Sequence, residues 1–175
     1  MSRYDVSGIK VRGLNFLSIL DAMQNPALTL GEKYKQYKNV DPEALYPASE
    51  FIALTDELEK KLGLIHLRKI GEKIAEMLKP QLEEKNIKDA ESFLKSFVDL
   101  YNFSVIGENK GGWEIISLDP AKKTAILKKD TPFNCILEEG ILKRGVKFFS
   151  KDIVVVKQTK CVRKGDEYCT YEVSW

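Results

Sequence analysis

The apolar positions of this chain repeat at two different intervals, and the change of interval divides it. From the start to about Phe103 the spacing is helical, after a short opening in which Tyr4, Val6, Ile9 and Val11 predict an edge strand. Leu14, Leu17, Ile19, Leu20 and Met23 predict a helix that stops near Asn25-Pro26. A polar connector rich in Tyr and Lys runs from Gly31 to Pro47 and is expected either to be mobile or to wrap the surface. Ser49, Phe51, Ile52, Leu54, Leu58 and Leu62 predict the next helix, broken around Gly63. Ile65, Leu67, Ile70, Ile74 and Leu78 resume helical spacing until Pro80. Asp89 is the expected N-cap of a further long helix carrying Phe93, Leu94, Phe97, Val98, Leu100 and Tyr101.

Beyond that point the period falls to two. Glu108-Asn109-Lys110-Gly111-Gly112 reads as a turn, after which Trp113, Ile115 and Ser117 alternate with Glu114 and Ile116 up to a second turn at Asp119-Pro120. Thr124, Ile126 and Lys128 alternate with Ala125 and Leu127 in a returning strand. Pro132 opens a helix from Phe133 to about Phe149, with Cys135, Leu137, Ile141, Leu142 and Val146 as inward positions. Lys151 to Val162 and Tyr168 to Trp175 predict a closing hairpin. The expected fold class is α+β, with long helices packed on an antiparallel sheet. It reads as a single domain over 1–175: N-terminal strand, helix and connector at 1–46, helical region at 47–103, and sheet, helix and hairpin at 104–175.

Composition narrows the function classes. A net charge of +2 over 175 residues argues against a generic polyanion binder. Lys143, Arg144, Lys147, Lys151, Lys157, Lys160, Arg163 and Lys164 cluster late in the chain without interleaved aromatics, so they read as a solvated face and no nucleic-acid partner is expected. No apolar run is long enough to cross a bilayer, and the start Met1-Ser2-Arg3-Tyr4-Asp5 lacks a signal-peptide pattern; a cytoplasmic location is expected. His66 is the one histidine, set in the apolar run Leu64-Ile65-His66-Leu67, and there is no nucleophile elbow, which disfavours hydrolase chemistry. Gly111-Gly112-Trp113 lacks the strand-before, helix-after context of a phosphate loop.

The chemistry-bearing feature is three cysteines in the last quarter. A hairpin turning at Lys164-Gly165-Asp166 sets Cys161 and Cys169 opposite each other, close enough to share a metal or a disulfide. Three is an odd count, which excludes a fully paired disulfide framework and favours thiols or metal ligation. Zinc is the first metal expected, in a structural site, ahead of iron because no fourth cysteine is available.

From Pro132-Phe133 the chain continues with a helix beginning near Cys135 and carrying Gly140 and Gly145, then a strand ending in Cys161, Gly165 and Cys169-Thr170-Tyr171. This stretch resembles the 4-vinyl reductase domain family, small-molecule-binding domains found alone and in bacterial sensors of aromatic compounds. The resemblance implies a fold like that of TRAPP subunits and NO-signalling ligand-binding domains. It also implies a zinc ion held by Cys135, Cys161 and Cys169, with Gln158 where the sensor branch has a glutamate. Water, Gln158 and His66 are the alternatives for the fourth position. The resemblance further implies that Trp113 borders a ligand pocket.

The expected function is therefore binding of a small hydrophobic or aromatic molecule, in a homodimer with structural zinc and without catalysis. With no output domain attached, a signal would pass to a separate partner. The alternatives are a TRAPP-like assembly scaffold and a reductase acting on a vinyl group of a tetrapyrrole, for which the chain shows no motif that holds an electron donor.

Overall fold

The computed structural model describes residues 4–175; Met1-Ser2-Arg3, part of the start read above as lacking a signal pattern, lies outside them. The described chain runs β1 (Lys10–Arg12), α1 (Gly13–Ala22), α2 (Pro26–Leu30), α3 (Glu32–Tyr37), β2 (Leu45–Pro47), α4 (Ala48–Glu84), α5 (Ala90–Ser104) and β3 (Val105–Ile106). It continues through β4 (Gly112–Asp119), β5 (Thr124–Asp130), α6 (Cys135–Lys147), β6 (Val155–Lys160), a 3-10 turn at Val162–Lys164 and β7 (Cys169–Ser174). The α+β expectation holds: long helices pack on an antiparallel sheet of order β4-β5-β7-β6, and a small second sheet has the order β2-β1-β3. Among the described residues, no helix is long and apolar enough to cross a membrane.

Three local expectations change. The opening strand is not an edge, because β1 pairs antiparallel with β2 on one side and β3 on the other. The connector holds α3 and β2, and Tyr37 in it is buried with its ring stacked 5.3 Å from Phe16. The break expected at Gly63 is present as a kink within α4, but the second half, expected to end at Pro80, runs on to Glu84. Gly63 bends the helix, taking φ 79 and ψ 168, a left-handed torsion that a residue with a Cβ rarely adopts. Asp89 caps α5 as expected, its carboxylate accepting from the Ser92 N–H at 2.7 Å.

The contact that positions the site is between α4 and α6. A Cβ at Gly71 would lie 2.1 Å from the Leu137 carbonyl oxygen, and one at Gly140 would lie 2.2 Å from that of Arg68. The two backbones therefore approach as closely as glycine alone allows. Arg68 and Glu139 pair at 2.9 Å beside this crossing, and Arg144 pairs with Glu76 at 2.8 Å farther along. The first turns of α6 are thereby held against α4 on one side and, through Leu137 and Leu142, against the core.

Gly140→Ala is expected to destabilise the fold by about 1–3 kcal/mol, since the Cβ meets a carbonyl and not a side chain that can swing away. Urea unfolding checks this; an unchanged midpoint would mean the helices separate at no cost.

Candidate functional site

Cys135 is the first residue of α6, and the cap before it fixes where its thiol points. Asn134 Oδ1 accepts from the Ile136 and Leu137 amides at 2.9 and 3.3 Å, while Asn134 Nδ2 donates to Glu59 Oε2 at 2.7 Å. Glu59 also receives both guanidinium nitrogens of Arg163, each at 2.7 Å. One carboxylate on α4 thus ties the start of α6 to the turn between β6 and β7. Cys161 leaves β6 one position after the pair Lys160↔Thr170, and Cys169 opens β7 opposite Lys129. The turn between the two is a 3-10 turn closed by Gly165 at φ 99, and Asp166 Oδ2 accepts from the Cys161 amide at 2.7 Å.

All three cysteines are buried and free, with their sulfur atoms within 4.8 Å of one another. Cys135 and Cys169 are 3.5 Å apart, and the Val162 amide donates to Cys169 Sγ at 3.4 Å. The hydrogen bond from the Cys169 thiol, opposed by burial and helped by the charge of Lys129, lowers the Cys135 thiol to about 5. The same contact, with burial, raises Cys169. Cys135 is therefore the thiolate of the pair. Gln158 sits beside it across an irregularity of the β6–β7 pairing between Gln158 and Lys160, and its amide donates to Tyr171 Oη at 3.1 Å.

Lys129 is the residue that sequence reading missed. Its side chain is 1% exposed, yet its ammonium is well surrounded: the Phe133 carbonyl at 2.7 Å, Glu138 Oε2 at 3.0 Å and Cys135 Sγ at 3.8 Å. Burial works against its charge, but the negative charges of Glu138 and Cys135 outweigh burial and raise its pKa. Burial pushes the Glu138 carboxyl above the ordinary range against the pull of Lys129. The signal for Lys129 was present, because the inward alternation of Ala125 and Leu127 continues to 129.

Beside this charged group lies a cavity of about 190 Å³ between α1, α4, α5, α6 and β4. Exposed Leu14, Gln81, Lys85 and Phe103 mark its open end. Phe51, Phe97, Tyr101, Trp113 and Phe133 wall the buried end, where the Phe97 and Trp113 rings meet edge-on with centroids 5.0 Å apart. Trp113 is thus placed on the cavity wall, and its indole N–H faces Glu138 Oε1 at 3.4 Å.

With this geometry in hand, comparison with known proteins gives a fold. No family model matches the chain, and no curated protein does. An H-NOX protein from S. oneidensis in its Fe(II)NO state matches with a TM-score of 0.70 at 16% identity, over 93% of this chain and 98% of that one. A structure described by haem redox potential and porphyrin distortion matches at 0.63 and 12% identity, over 93% of this chain and 97% of that one. The phenol-responsive sensory domain of the transcription activator PoxR, with phenol, matches at 0.51 and 15% identity over 77% of each chain. The fold is that of the H-NOX ligand-binding domains.

Several expectations are corrected by these matches. Structures aligned along nearly the whole chain are H-NOX proteins, so the vinyl reductase and TRAPP-like relationships, and the reductase and scaffold functions drawn from them, are withdrawn. The glycines that suggested the resemblance have local causes: Gly140 meets α4, a Cβ at Gly145 would strike the Phe93 ring at 1.9 Å, and Gly165 closes the turn. Zinc is withdrawn with them. The whole-chain matches carry iron or haem in their descriptions, and a structural zinc needs four ligands. The described residues that converge are three cysteines, and an ammonium already balances Cys135. His66, offered as a fourth ligand, is exposed on α4 with Nδ1 2.9 Å from the Leu62 carbonyl.

Haem, which the fold brings to mind, does not fit these residues. An axial ligand is drawn from His, Cys, Met or Tyr. Among the described lining residues Tyr101 is the one such side chain; it donates its hydroxyl to the Lys110 carbonyl, and burial raises its ionisation far above neutrality. At about 190 Å³ the cavity is also below the ~300–1,000 Å³ usual for drug-sized ligands, let alone a tetrapyrrole.

In protein freed of metal by a chelator, one thiolate is expected to titrate near pH 5, as the lowered Cys135 requires. The native state then binds fewer protons than the unfolded chain between pH 9.0 and about 5, so this group's stabilisation shrinks as pH falls across that window. Cys169, raised, acts in the opposite sense only above the ordinary thiol range. Thiolate absorbance against pH, with Cys135→Ser as control, checks this; a step of the same position in the variant would reassign the group.

Proposed function

We propose that the chain binds a small, mostly apolar molecule of one or two rings in the cavity walled by Phe51, Phe97, Tyr101, Trp113 and Phe133. The observation that carries this is the cavity itself, an aromatic-lined space of about 190 Å³ open at one end. An apolar cavity of about 150 Å³ suffices for benzene, so the space suits a substituted ring and is too small for a pigment. Two further facts support the reading. The fold is shared with ligand-holding sensor structures, and the PoxR domain, which matches over 77% of this chain, is described with phenol. The proposal includes a reducing cytoplasmic setting, which keeps three buried thiols free.

Saturating p-cresol is expected to raise the melting temperature of the purified protein, and ligand at a hundred times its Kd stabilises by about 2.7 kcal/mol. Ile141→Trp, which fills the cavity from α6, is expected to abolish the shift while retaining its native circular dichroism. An equal shift in Ile141→Trp places the ligand elsewhere.

A second reading rests on the convergence of Cys135, Cys161 and Cys169. Three thiols without a fourth ligand suit a soft three-coordinate ion such as Cu(I). Anaerobic titration with chelator-buffered Cu(I) should show one equivalent taken up and lost in Cys161→Ser; uptake equal in the two proteins would sink it.

A further inference from the structure

We infer that the cavity selects a neutral ring compound bearing a hydroxyl or N–H, which Glu138 receives; this rests on the reading of the cavity as a ligand site. At the buried end of the cavity three side chains carry polar atoms: Tyr101, Trp113 and Glu138. Two of them are committed. The Tyr101 hydroxyl donates to the Lys110 carbonyl, and the Trp113 indole N–H points at Glu138 Oε1, 3.4 Å away. Glu138 alone has capacity left. A carboxylate has about four lone-pair sites; on Glu138 the buried Oε2 takes the Lys129 ammonium at 3.0 Å and Oε1 faces the indole N–H at 3.4 Å, which leaves lone pairs open.

The exposure of the ion pair is lopsided in the direction this requires. Lys129 is 1% exposed and Glu138 13%, so the carboxylate, a member of the cavity wall, is the accessible partner. A ring that entered without a donor would strip solvent from the part of this carboxylate side chain that is still accessible and give no hydrogen bond in return, which disfavours plain hydrocarbons. An anionic ligand would meet the carboxylate itself. A cationic one would meet Lys129, already seated against the same carboxylate. A neutral hydroxyl or N–H adds the missing hydrogen bond and no charge.

The test uses molecules of one shape: p-cresol, p-xylene, p-toluate and 4-methylbenzylammonium, titrated calorimetrically into the full chain. The wild type is expected to bind p-cresol about tenfold or more tighter than p-xylene, the usual scale for a hydrogen bond to a charged group, and the two ions more weakly than p-cresol. The double variant Lys129→Met/Glu138→Leu removes both charges together, so neither is stranded. It is expected to bind p-cresol and p-xylene within about twofold of each other. Should that variant fail to fold, Glu138→Gln is expected to shrink the preference severalfold, since an uncharged acceptor forms the weaker bond. Equal binding of cresol and xylene by the wild type overturns the inference and leaves the cavity reading standing. So does tighter binding of either ion, or a cresol preference undiminished in the variants. Binding of none of the four overturns both.

Discussion

Among the described residues one buried cation, Lys129, organises the interior of this protein. The Lys129 ammonium lies where water does not reach, and isolated it would be untenable there. It is kept by a carbonyl from the loop before α6, a carboxylate one turn into α6 and a thiol at the start of α6, so that strand β5 and helix α6 hold each other through one charge. Because Glu138 belongs to the cavity and Cys135 to the thiol cluster, the two chemically distinct parts of the molecule share that charge. Neither can be altered without the other feeling it.

That sharing gives the thiol cluster and the cavity a common electrostatic origin. Cys135 is drawn toward the thiolate by its neighbour Cys169 and by Lys129, and the charge it gains raises Glu138 in turn. Arg163 and Glu59 add a second layer at the surface, where the guanidinium is about half exposed and its pairing with Glu59 serves chiefly to hold the turn in place. The polar groups are therefore arranged from the surface inward, toward the one wall of the cavity that carries a carboxylate.

Much of the fold was legible in the chain. Helical spacing up to Phe103, alternation after Gly112 and the Asp89 cap all stand where periodicity and capping chemistry put them. The convergence of Cys161 and Cys169 followed from the hairpin, because the β6–β7 pairing runs to Lys160↔Thr170, one position short of the two cysteines. What was misjudged had a physical cause in each instance. Pro80 is a breaker in isolation, yet α4 continues through it to Glu84. The spacing of Gly140, Gly145 and Gly165 suggested a family because steric demands of helix crossing and turn closure leave the same trace in a sequence as descent does. Of the cavity wall only Trp113 was anticipated, and that through the resemblance; Val11, Phe51, Ile74, Phe97 and Glu138 come from different elements and meet only in the folded chain.

The bend at Gly63 has an effect beyond helix geometry. Phe51 stands on the first half of α4, and Ile74, Leu78 and Gln81 stand on the second, yet all four line the same cavity. Between these walls lies the kink at Gly63, an exposed glycine whose surroundings are open. The shape of the cavity thus depends partly on a position that lies outside its wall. Two chains with identical cavity walls and different residues at position 63 would enclose cavities of different span.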